Sequence, residues 1–66
     1  MSVVKVTEIT ASSKTSFEAA IQTGLDRASK TLKNVKGAWI KEQKVVCDNG
    51  RITEYRVTMK VSFLLV

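Results

Sequence analysis

Asn49-Gly50 lies between two extended runs, Lys36 to Cys47 and Arg51 to Val66, and it restricts the fold more than any other dipeptide in the chain. A two-residue turn of type I′ needs positive φ at both central positions, which Asn tolerates and Gly adopts without steric cost. After the turn, Tyr55, Val57, Met59, Val61, Phe63 and Leu65 alternate with Glu54, Arg56, Thr58, Lys60 and Ser62. That two-residue period marks a strand with one apolar face. The turn also sets a register in which facing positions sum to 99, pairing Ile40 with Met59, Ala38 with Val61 and Trp39 with Lys60. Ala38 and Ile40 then share the core face. Gly37, Trp39, Lys41 and Gln43 are expected on the opposite face, with Arg56, Thr58, Lys60 and Ser62.

Upstream, Val3 to Ala11 is rich in Val, Thr and Ile and reads as a strand, followed by a polar connection, Ser12-Ser13-Lys14-Thr15. Thr15 with Glu18 three residues on has the form of a capping box, so a helix is predicted from about Ser16 to Lys33. Phe17, Ala20, Ile21, Gly24, Leu25, Ala28, Leu32 and Val35 form its apolar stripe, and Asp26 with Lys30 is a favourable acid-before-base pair on the other side. Gly24 costs about 1 kcal/mol relative to Ala inside a helix, which predicts a strand residue packed closely beneath it. The order is β-α-β-β: an α+β domain over residues 1–66, with a three-stranded antiparallel sheet, the longest strand in the middle and one helix on one face.

Such a domain is hard to stabilise alone. A chain of 66 residues buries only about 60% of the surface it exposes when unfolded. One cysteine forms no internal disulfide, and without histidine the chain lacks a Cys/His zinc set. Self-association is the remaining support. The tail Phe63-Leu64-Leu65-Val66 points apolar groups both ways, which predicts that subunit contacts cover it in an obligate oligomer. No apolar run reaches the roughly 18 residues of a membrane span, and the N-terminus has no signal-peptide pattern, so a cytoplasmic protein with reduced Cys47 is expected.

Composition also narrows the chemistry. Without histidine there is no near-neutral general base, and Cys47 has no imidazole to activate it, so no enzyme is expected. The net charge of +5 raises nucleic-acid binding, but single-strand readers usually display several aromatics on one face, and the register leaves Trp39 alone there. The acidic residues Glu8, Glu18, Asp26, Glu42, Asp48 and Glu54 form no dense oxygen cluster within one chain. Copies of one carboxylate around a symmetry axis could still hold a divalent cation, with ligands unassigned.

Ser12-Ser13 ahead of Thr15-Ser16-Phe17-Glu18-Ala19-Ala20, then Arg27-Ala28-Ser29-Lys30-Thr31-Leu32-Lys33-Asn34-Val35, and finally Tyr55-Arg56-Val57-Thr58-Met59-Lys60-Val61-Ser62-Phe63, together resemble the dodecin family. The resemblance spans the chain without an insertion. It implies a hollow homododecamer of β-α-β-β subunits, and a flavin (riboflavin, FMN or FAD) held in pairs between subunits. It also implies two contacts that this chain replaces: Gly37 stands where flavin-binding members carry the tryptophan that stacks on the ring, and Arg56 where they carry a glutamine. Some members lacking the tryptophan are metal-binding forms, which keeps the divalent cation open.

The candidate binding residues are therefore Trp39, Arg56 and Gly37. Trp39 falls two residues beyond Gly37, on the same face about 7 Å further along. It is either a stacking platform for a planar anionic ligand or an interface aromatic. Arg56 is either a clamp for phosphate or carboxylate, or half of an intersubunit ion pair with Glu42 or Glu54.

Overall fold

The computed structural model describes residues 2–65. The elements follow the predicted order: β1 (Val3–Ser13), α1 (Phe17–Thr31), β2 (Val35–Asp48) and β3 (Arg51–Leu65). The sheet order is β1-β3-β2, with β3 in the middle and antiparallel to both neighbours. Asn49 (φ 53°) and Gly50 (φ 76°) both take positive φ and close the hairpin between Asp48 and Arg51. Val66, the last residue of the predicted tail, lies outside the described residues; Phe63 is buried and Leu65 is half exposed.

β1 runs two residues further than predicted, and Ser12 and Ser13 pair with Arg56 and Tyr55. The cap also moves by one. Ser16, not Thr15, is the N-cap, with its hydroxyl accepting from the Ala19 amide at 3.0 Å. The Thr15 amide instead donates to the Ser13 hydroxyl, so Thr15 belongs to the turn. Glu18 remains in the first turn, where its charge favours the helix N-terminus. The helix ends at Thr31, and Asn34 at φ 61° redirects the chain into β2, leaving Lys33 in the connection. Asp26 accepts a hydrogen bond from Gln22 rather than pairing with Lys30.

Three register breaks shape the hairpin. Pairing starts at Cys47 with Ile52, shifts by one at the unmatched Thr53, and shifts back at the unmatched Lys41. The second shift cancels the first, so Ile40–Met59, Trp39–Lys60 and Ala38–Val61 pair as the turn predicts. Between the two bulges the expected faces are exchanged: Gln43 sits opposite Val57 on the helix side, and Glu42 and Lys44 join Thr58 and Arg56 on the open side. The third break, at Lys36, lies beside Gly37.

Ala20, Val57, Met59 and Val61 form the sealed centre of the core, with Ile9, Ala11, Phe17, Ile21, Leu25, Val35 and Ala38 packed around it. Gly24 has the predicted cause. A Cβ there would collide with the Met59 methyl and sit 3.1 Å from the Ala11 Cβ, so the bare backbone lets α1 settle onto β1 and β3. Phe17 meets Tyr55 edge-on at 5.1 Å and closes the N-terminal end of the helix onto β3. The helix hardly touches β2, so the helix-side residues of the outer hairpin, Ile40, Val45 and Ile52, remain exposed.

Candidate functional site

The face of the sheet away from α1 is covered by nothing in the chain. Pairing places Val4, Val6, Glu8, Thr10 and Ser12 on it from β1; Arg56, Thr58, Lys60, Ser62 and Leu64 from β3; and Gly37, Trp39, Glu42 and Lys44 from β2. All three candidate residues lie here. Gly37 faces Ser62, whose hydroxyl donates to the Gly37 carbonyl at 3.1 Å, and Trp39 faces Lys60. Arg56 faces Lys44 and Ser12.

The three do not converge at one point in a single chain. Arg56 lies four β3 residues from Lys60, the partner of Trp39, or about 13 Å along the strand. Between them runs a charged rib: the bulge at Lys41 aims its ammonium across β3 to Glu8 on β1, at 3.3 Å. Both groups are about half exposed, so the pair organises the surface more than it stabilises the fold. The rib divides the face. On one side are Val4, Val6, Gly37, Trp39, Ser62 and Leu64, a mainly apolar half. On the other is a shallow polar depression of about 160 Å³ lined by Thr10, Glu42, Lys44, Arg56 and Thr58.

Trp39 is 62% exposed, an unusual position for a large aromatic. A Cβ at Gly37 would meet only the Ser62 hydroxyl at 3.7 Å, so a side chain there has open space. Arg56 has a partner within its own chain: its Nε lies 2.6 Å from a Glu54 carboxylate oxygen. Of the two partners that the sequence offered Arg56, the structure selects Glu54, within the chain rather than between chains. Glu42 takes part in no ion pair among the described residues. No three His, Cys, Asp or Glu side chains gather at a potential metal site among the described residues. No described helix is long and apolar enough to cross a membrane.

Sequence reasoning missed the depression and the rib because both depend on the bulge at Lys41. Neither Lys41 nor its neighbours carry the glycine that would have marked the spot.

One helix on one side of a β1-β3-β2 sheet, with the other side bare and carrying an exposed tryptophan, defines a small β-α-β-β subunit built for contact on its open face. The Dodecin family model matches residues 3–66, and the chain belongs to the dodecin family. It is 36% identical over 63 residues to the dodecin of Thermus thermophilus, covering 96% of this chain and 91% of the relative. It is 39% identical over 64 residues to the calcium dodecin of Mycobacterium tuberculosis, covering 96% of this chain and 89% of that one. The solved dodecin from Streptomyces davaonensis superposes with a TM-score of 0.93 at 35% identity, covering 98% of this chain and 96% of that one.

Proposed function

We propose that the chain is the subunit of a hollow, non-enzymatic homododecamer in which the open sheet face holds a planar anionic ligand of the flavin class between subunits, for storage or sequestration. The observation that carries this reading is the indole of Trp39: exposed on the helix-free face, beside Lys60 and one strand period from the bare Gly37. An aromatic in that position offers a ring a stacking partner, and the nearby lysines attract an anionic tail. The separation of Trp39 from Arg56 assigns them different parts of a ligand. Trp39 takes the ring, and Arg56 takes an anionic group further along or on a ligand held by a neighbouring copy.

Titration of the assembled protein with riboflavin, FMN and FAD, read by flavin fluorescence, tests this. Quenching with saturable binding is expected, and Trp39→Ala should weaken it by about tenfold or more, the scale of one lost stacking contact. Gly37→Trp, placed where there is space, should strengthen it. Unchanged affinity in Trp39→Ala would remove the indole from the site. A Trp39→Ala variant that loses its assembly instead would make the residue an interface aromatic.

Glu42 favours a second reading. Of the three glutamates on the open face, Glu8 and Glu54 are engaged by Lys41 and Arg56, and Glu42 is not. With a 39% identical relative named as a calcium dodecin, we infer a divalent cation held by Glu42 carboxylates from several copies as the alternative. Calorimetric titration with calcium separates the readings: binding that Glu42→Gln abolishes supports the cation, and heat-silent mixing with the intact assembly removes it.

A further inference from the structure

Two surfaces on the helix side of the protomer are left uncovered, for different reasons. The first is a groove of about 600 Å³ between α1 and the free edge of β1, with an apolar floor of Ile9, Ala11, Ala28 and Leu32 and with Thr23 and Arg27 at its side. It stays open because Gly24 and Ala28 bring the helix low over the sheet without filling the flank. The second is the outer hairpin. Val45, Cys47 and Ile52 share its helix side by pairing and are exposed because α1 hardly reaches β2.

We propose that these surfaces cover one another between copies, so that the hairpin tip of one chain lies in the α1–β1 groove of the next. The two lie on opposite edges of the sheet, since β1 and β2 flank β3. The contact is therefore head-to-tail and closes only as a ring or higher assembly, never as an isolated two-fold pair. The charges are complementary: Arg27 lines the groove and Asp48 ends the tip, and neither takes part in an ion pair among the described residues. Desolvation at such a contact strengthens a charge pair well beyond its worth on an open surface. The inference does not depend on which ligand the open face holds, because it uses the other side of the sheet.

A charge exchange tests it. Arg27→Glu and Asp48→Arg should each weaken assembly by about tenfold or more in dissociation constant, and the double variant should restore it. Sedimentation reads the assembly, and circular dichroism confirms that each chain keeps its helix. A second test uses a nearly unaltered chain. Thr23→Cys under mild oxidation should form disulfides to Cys47 of a neighbouring copy, giving a ladder beyond the dimer that Cys47→Ser abolishes. Within one chain the two positions lie on opposite sides of β3, about 10 Å apart in strand spacing alone, whereas a disulfide needs Cα atoms within about 7 Å. Single variants with unchanged assembly, a double variant that adds the two losses, or assembled protein that forms no ladder would each overturn the proposal. The groove would then be free for a small apolar anion or another protein.

Discussion

On one side of β3, Val57, Met59 and Val61 are fully sealed by α1 and β1; on the other, Thr58, Lys60 and Ser62 stand open between Thr10, Glu8 and Trp39. Successive residues of the same strand thus meet opposite environments. The sealed side has the small residues Ala20, Gly24 and Ala28 on the helix above it, and tolerates little change in volume. The open side is held by exposed ion pairs and hydroxyls that contribute little to folding, which leaves its residues free to serve contacts with ligands or other copies. Stability and recognition are therefore separable here, residue by residue.

The strongest way to sharpen that contrast is Met59→Ala. Removing a fully buried side chain should cost about 2–5 kcal/mol by urea denaturation, a large part of the stability of so small a domain. A loss below 1 kcal/mol would mean that the helix collapses into the space and that the sealed side is less rigid than it looks. Next comes Gly24→Ala. The added methyl gains up to about 1 kcal/mol of helix propensity but crowds Met59 and Ala11, so a net loss of about 1–2 kcal/mol is expected. A stabilised variant would show that the Met59 side chain yields freely.

Ser16→Ala should cost about 1 kcal/mol, whereas Thr15→Ala should cost much less, because only Ser16 caps the helix. Equal losses would put both residues in the cap. The smallest effect is expected from Lys41→Ala on the open side: a few tenths of a kcal/mol, vanishing in high salt. A large, salt-resistant loss would break the comparison by making the rib part of the folding core.

Most of the architecture was legible because its signals are local. Asn49-Gly50 dictates its own backbone, the alternation in β3 contains no extra residue between Glu54 and Leu65, and the three- and four-residue steps from Phe17 to Ala28 define the helix face. The crowded glycine was legible too, since Gly24 has no other reason to stand inside a helix. The cap was misplaced by one because Thr15 and Ser16 are both good cap residues, and the choice rests on Ser13 taking the Thr15 amide, which is a tertiary outcome. The faces of Glu42, Gln43 and Lys44 were exchanged because a bulge changes parity without changing composition. Gly37, Trp39 and Arg56 were correctly placed on one face, while the distance between Trp39 and Arg56 and the ion pair to Glu54 needed coordinates.

The two unmatched residues of the hairpin also bear on how such a chain can change in length. Lys41 has no partner in β3 and Thr53 has none in β2, so losing either one shortens a single strand while every paired neighbour keeps its side of the sheet. Losing Thr58 instead would turn half of the central strand over, carrying buried methyls into water and lysines into the core. Deletions and insertions should therefore be tolerated at positions 41 and 53, two joints where the hairpin can lengthen or contract, and rejected along the stretch of β3 between Glu54 and Phe63.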